Sequence, residues 1–211
     1  MPRLVSVNIG QPQPISSKSG MTGIFKKPSA EPVTVTRDGL EGDAIIDRRH
    51  HGGVDQAVYV YFTDDYAHWS EALGKPVTAG TFGENLTIDG VEGRSVGAGD
   101  RFTIGEVTIE VTAHRTPCST LAARMEDPTF LKAYHRAGRP GAYCRVLTPG
   151  QLQVGQDVVH QPFDGEPVTV AEMMALEGKR DIERDVLRRV LAAPVHHKMR
   201  DDFEQRLSRL F

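Results

Sequence analysis

Gly99-Asp100-Arg101-Phe102-Thr103-Ile104-Gly105-Glu106-Val107-Thr108-Ile109-Glu110-Val111-Thr112-Ala113-His114-Arg115-Thr116-Pro117-Cys118-Ser119-Thr120-Leu121 is the stretch from which the rest of the chain is read. Phe102 and Ile104 alternate with polar residues, Gly105-Glu106 supplies a turn, and Val107, Ile109 and Val111 alternate again, so its first part predicts a β-hairpin. The second strand runs on into His114-Arg115-Thr116-Pro117-Cys118. Pro117 has no amide proton and biases Thr116 away from helix, so the strand ends there. Cys118 then stands where strand gives way to turn, shortly after Arg115. A neighbouring guanidinium favours thiolate over thiol, and the thiolate is both nucleophile and metal ligand. The competing reading is a cysteine packed as a small hydrophobe.

Composition narrows the function classes. At 211 residues the chain holds one large domain, or one domain with a small addition. A hydrophobic content of 39% is enough for a packed core and is unlike that of a disordered chain. A formal charge of -3 with no basic stripe gives no electrostatic case for nucleic acid. Two cysteines, Cys118 and Cys144, make no disulfide framework and cannot ligate a four-cysteine iron–sulfur cluster. The first residues lack the apolar core of a signal peptide and no run approaches membrane-spanning length. The expectation is a soluble, cytoplasmic protein without a membrane or nucleic-acid partner.

Working outward, Leu4–Ile9 alternates as a first strand, and the loop after Gly10 ends in Thr22-Gly23-Ile24-Phe25-Lys26-Lys27-Pro28. That loop is too long for mere linkage, and its lysines either hold a phosphate or lie solvated. Val33–Thr36 is a short strand, followed by the tight Gly39-Leu40-Glu41-Gly42-Asp43. In Asp47-Arg48-Arg49-His50-His51-Gly52-Gly53 the adjacent histidines point apart on an extended chain, which disfavours a shared zinc, while the glycines permit close approach to a ligand. Ala57–Phe62 reads as a strand buried on both faces, and Thr63-Asp64-Asp65 opens a helix over 63–73. Phe82-Gly83-Glu84-Asn85 leads into another strand, where Asn85 either holds a loop or grips a ligand's polar edge. A helix over 128–137 closes at Gly138, then Ala142–Leu147 carries Cys144 as core, and a last strand lies around Val154–Val159. From Thr169 a capping box and the apolar stripes Ile182/Val186/Val190 and Met199/Phe203/Leu207/Leu210 predict three short helices.

Six of these segments in order resemble the MOSC family, the molybdenum-cofactor sulfurase C-terminal domain: Thr22–Lys26, Gly39–Asp43, His51–Gly53, Phe82–Asn85, Gly99–Phe102 and Arg115–Cys118. Each is weak alone; six in sequence are specific. The resemblance is strongest to bacterial members that reduce N-hydroxylated bases such as 6-hydroxylaminopurine. It implies a mainly β chain with α: a MOSC-type β-barrel domain over 1–163 and a small three-helix appendage over 164–211. It also implies a pterin-dithiolene molybdenum cofactor (Mo-molybdopterin), with Cys118 as catalytic residue and metal ligand. Lys26, His51, Gly52, Gly83, Asn85 and Arg115 would join Cys118 in binding the cofactor, with Lys26 and Arg115 gripping its phosphate. Gly52, Gly53 and Gly83 would let main chain run against the flat pterin.

The function so implied is reduction of small N-hydroxylated compounds of hydroxylaminopurine or amidoxime type. Electrons would come from a separate flavin- or iron–sulfur-containing reductase, since the chain carries no motif for either group. The alternative is a carrier of the cofactor, or of sulfur on Cys118, without turnover of its own. The resemblance assigns no role to His114 or Thr116.

Overall fold

Strand period explains the centre of the molecule. The computed structural model describes residues 1–16, 20–47 and 51–209, and the expectations that rested on His50 and Leu210 lie outside them. In chain order the elements are β1 Arg3–Gly10, β2 Gln13–Pro14, β3 Met21–Thr22, β4 Lys26–Pro28, β5 Val33–Thr36, β6 Gly39–Leu40, β7 Val58–Phe62 and α1 Thr63–Leu73. There follow β8 Leu86–Asp89, β9 Arg101–Ile104, β10 Val107–His114, α2 Ser119–Arg124, α3 Phe130–Ala137 and β11 Ala142–Thr148. The chain ends with β12 Gly150–Leu152, β13 Val158–Gln161, α4 Val170–Leu176, α5 Arg184–Ala192 and α6 His197–Ser208.

The expected hairpin is β9–β10, paired Val107↔Ile104 and Ile109↔Phe102, with Gly105 at φ 57° in its turn. β10 also pairs with β11, placing it inside an eight-stranded sheet of order β13-β9-β10-β11-β7-β8-β1-β4. Every pair is antiparallel except β7–β8. The all-apolar β7 is buried along its length because it divides two packed layers. Val58, Val60 and Phe62 face one hydrophobic cluster; Tyr59 and Tyr61 face another, with Trp69, Phe82, Phe130 and Tyr134. α1 runs over the expected 63–73, but Phe62 holds its N-cap position and Thr63 is already helical. The expected 128–137 helix begins at Phe130, and α2 before it was not anticipated.

Two expectations need correction. The fold is a mixed α/β arrangement around a large sheet, and among the described residues that sheet does not close into a barrel: β13 and β4 remain its edges. The start of β1 and the chain entering β13 are joined by an isolated bridge between Arg3 and Asp157, with Leu4 N–H donating to Gln156 O at 3.0 Å, Gly155 N–H to Leu4 O at 2.8 Å and Val158 N–H to Pro2 O at 2.9 Å, short of a continuous ladder. Pro28 ends β4 and Pro162 follows β13, and neither has an amide to donate. The three C-terminal helices are present, and Thr169 caps α4 by accepting from Glu172 N–H. They do not stand apart as an appendage, because Val170, Met173, Leu187, Val190 and Phe203 join the same cluster as Val58 and Phe62.

Three backbones stack where the sheet meets the loops. A Cβ on Gly10 would lie 2.0 Å from Gly23 O, and one on Gly23 would lie 1.9 Å from Ala44 O. Both obstacles are main chain and cannot swing aside. Gly23→Ala is therefore expected to cost about 2 kcal/mol or more in chemical denaturation, the scale of a forced backbone shift in a packed interior. A loss under about 0.5 kcal/mol would contradict this close approach.

Candidate functional site

All seven residues singled out from the sequence, Lys26, His51, Gly52, Gly83, Asn85, Arg115 and Cys118, line one cavity of about 120 Å³. It opens on the Tyr59 side of the sheet, between the end of β1, the chain around β3 and β4, the 43–57 segment and the turn after β10. Met21, Ile45, Ile46 and Ala57 give it an apolar rim and wall.

Cys118 is half-buried and occupies the N-cap position of α2. Burial alone would push its thiol up, but a hydrogen bond from His51, the Arg115 charge and the Leu121 amide prevail and lower it to about 6. At neutral pH the group is mostly thiolate. Cys144, in β11, is fully buried, and burial pushes its thiol up, as expected of core.

Arg115 is only 4% exposed. One guanidinium N–H donates to Phe82 O at 2.9 Å, and its carbon lies 5.2 Å from the Tyr59 ring centre. Burial opposes its charge, but the oxygens of Tyr59, Tyr143 and Tyr134 and the Cys118 thiolate around it prevail and raise its pKa. Phe82 O is in turn placed by Glu84, whose buried carboxyl accepts from Phe82 N–H at 3.0 Å and from Gly80 N–H and Tyr66 O–H.

Lys26 forms a buried ion pair with Asp43. Burial lowers the Lys26 pKa, with Asp43 acting against it. Lys27, its neighbour, is exposed. Asp43 also accepts from Gly10 N–H at 2.8 Å and from Asn85 Nδ2 at 2.9 Å. Asn85 resolves the choice left open by the sequence: its Oδ1 accepts from Tyr59 N–H at 3.1 Å and its amide donates to Asp43, so it holds strands and loop together at the cavity wall.

The glycines are tightly packed on their Cβ side. A Cβ on Gly83 would meet Ile24 Cγ1 at 2.7 Å, and one on Gly52 would meet Ile45 Cδ1 at 3.1 Å. Both leave room for isoleucine side chains behind them, and both line the cavity. At Gly53 a Cβ would meet nothing within 4 Å, but its φ of 86° itself favours glycine.

Asp43, Tyr59, Tyr143, Gln56 and Thr120 also line the cavity and were not singled out as site residues. Asp43 closes the Gly39–Asp43 segment, so its place in a glycine-punctuated turn was the available signal. Tyr59 lies in an apolar run, where period two hides which side chains face a cavity.

Fold and site together define a MOSC domain protein. Residues 47–159 match the MOSC domain model, and the chain belongs to that family. It is 36% identical over 157 residues to the uncharacterized protein YflK of Bacillus subtilis, covering 74% of this chain and 71% of that protein. Its structure superposes on that of YiiM from Geobacillus stearothermophilus with a TM-score of 0.81 and 29% identity, covering 98% of this chain and 100% of the other. A protein of Gibberella moniliformis named a reductase is 33% identical over 141 residues, which span 65% of this chain and 25% of that protein. No helix among the described residues is long and apolar enough to cross a membrane.

MOSC domains are associated in general with binding the molybdenum cofactor. The donor set here fits such a group. A thiolate of low pKa is a soft ligand suited to a metal already bound by sulfur. Lys26 and Arg115 line the same cavity with donors beyond those spent on Asp43 and Phe82.

The thiol's pKa is lower in the folded chain than its ordinary 9.0, so the thiolate is favoured by folding. The stability this contributes is complete above the unfolded thiol's pKa and is lost as pH falls through about 6. Alkylation of Cys118 by iodoacetamide, followed by peptide mass spectrometry, should rise through a midpoint near 6 and level off by neutral pH. His51→Ala should move the midpoint upward. A wild-type midpoint in the ordinary thiol range, about 8–9, would contradict the electrostatics described.

Proposed function

We propose that the protein is a molybdenum-cofactor-dependent reductase of small N-hydroxylated compounds, of hydroxylaminopurine or amidoxime type. Electrons come from a separate flavin- or iron–sulfur-containing partner. The observation that carries this is the Cys118 thiolate, held by His51 and Arg115 and open to the cavity that Lys26 also lines. The relative named a reductase supports the class of chemistry, through a match to a quarter of its length.

Reduction of R–NHOH consumes two electrons and two protons and releases R–NH₂ and water. The cofactor, when bound, supplies two-electron redox chemistry at a metal that accepts oxygen. Cys118 Sγ would be the protein's ligand to the metal. Arg115 and Lys26 bind the anionic phosphate, Arg115 from a position fixed by Phe82 O and Lys26 from its pair with Asp43. The His51 side chain hydrogen-bonds Cys118 at the cavity wall. Tyr59, Ile45 and Ile46 line the space with apolar surface that limits water around the substrate.

The test uses protein made in a molybdenum-replete host, assayed for metal, pterin and reduction of 6-hydroxylaminopurine and an amidoxime with a reduced viologen dye. Wild type should carry molybdenum and turn over. Cys118→Ser should keep its fold and retain pterin, yet lose activity by at least about a hundredfold, since changes merely outside a metal's ligands already cost about 10–100-fold. Loaded wild-type protein that is inert on every such substrate would overturn the reductase and indicate a carrier.

A further inference from the structure

The turn that carries Cys118 lacks the support a strand would give it. β10's last paired residue is His114, opposite Ala142. Beyond it Pro117 has no amide to donate. From Arg115 to Cys118 no residue belongs to a ladder, yet Arg115 and Cys118 must both face the cavity.

Glu177, the residue that ends α4, meets this segment from the other side. Its Oε2 lies 3.3 Å from His114 Nε2, and the Thr116 side chain is close enough to help lower the carboxyl's pKa. These contacts, the His114 bond first, hold the Glu177 carboxyl below its usual range although burial opposes them. His114 is 6% exposed, and its Nδ1 has no partner, so the contact to Glu177 is the imidazole's one polar anchor among the described residues. On an extended chain alternate side chains point to opposite faces. Anchoring residues 114 and 116 toward α4 therefore turns Arg115, between them, toward Phe82 O and the cavity. Cys118 follows after Pro117, whose fixed φ limits the intervening freedom.

We propose that Glu177 is a positioning residue: by holding His114 and Thr116 it aims Arg115 and Cys118 into the cavity, which makes the C-terminal helices a working part of the site. Its importance for reduction rests on the function proposed above; the positioning itself does not. The helices reach the site's other wall as well. His197 N–H and its ring bond Asp55 Oδ2, both at 2.9 Å, beside the His51–Gly53 turn and Gln56. That second contact is an internal latch, because Arg145 already pairs with the remaining Asp55 oxygen at 3.0 Å.

The test needs no cofactor. Full-length protein from a host unable to make molybdopterin is alkylated with iodoacetamide at pH 7, and the rate at Cys118 is read by peptide mass spectrometry. Glu177→Ala should slow Cys118 by about tenfold, because the thiolate loses its partners. Glu177→Gln, which still bonds Thr116 and His114, should restore most of the rate. Arg189→Ala breaks the ion pair between α5 and Glu172 on α4 without touching Glu177. It should lower the melting temperature and leave the Cys118 rate unchanged. Were Glu177 only a nearby negative charge, its removal would favour the thiolate and speed alkylation. An unchanged or faster rate in Glu177→Ala, or an equal loss in Arg189→Ala, would overturn the proposal whatever the outcome for reductase activity. If Glu177→Ala does not fold, Glu177→Asp, whose shorter reach cannot hold both partners, takes its place with the same expected slowing.

Discussion

One buried carboxylate gathers the cavity. Asp43 accepts from Gly10 at the end of β1, Lys26 at the start of β4 and Asn85 just before β8, so three segments distant in sequence converge on two oxygen atoms. A carboxylate so removed from water is tolerable only with such partners. The glycines at 10 and 23 let the backbones close to the distance these bonds require. Without Asp43, Lys26 would be a buried ammonium lacking its counter-charge, and Asn85 would lose the partner that fixes its amide. The wall of the site is in this sense an electrostatic requirement before it is a binding surface.

A second buried acid, the neighbour of Asn85 in the chain, does similar work. Glu84 draws in Gly80 N–H, Phe82 N–H and Tyr66 O–H, which folds the 80–84 segment tightly enough to present Phe82 O to Arg115. The aromatic layer of Tyr61, Trp69, Phe82, Phe130 and Tyr134 packs behind that segment and excludes water from it. Opposed by burial, the low pKa of Cys118 owes most to the His51 hydrogen bond and next to the Arg115 charge, which is itself positioned through a carbonyl and a carboxyl sealed under aromatic rings. Positive charge is kept beside the sulfur by rigid neighbours, which is the form of preorganisation that metal and anion sites share.

The two faces of β7 divide the labour. Its tyrosines belong to the layer that supports the cavity, and its valines and Phe62 belong to the layer shared with the C-terminal helices. Because a strand this deep is held on both sides, disturbing either layer is transmitted to the register of the sheet. The helices therefore contribute to the site through shared core as well as through Glu177 and Asp55.

Much of this was present in the sequence. Period two in Phe102–Val111 determined the hairpin, the Thr169 capping box determined the start of α4, and the arginine and proline before Cys118 marked a reactive turn. Local rules suffice for such features because their causes lie within a few residues. The tertiary structure alone decided which neighbours each candidate residue has. Asn85 lines the cavity and also clamps Tyr59 and Asp43; Gly83 lines it and leaves room for Ile24; the sheet stays open; and the helices share the sheet's core. Glu177 gave no signal at all, being one acid among many on a helical stretch. Each of these turns on contacts between segments tens of residues apart, and sequence spacing carries no record of which distant backbone arrives beside a given side chain.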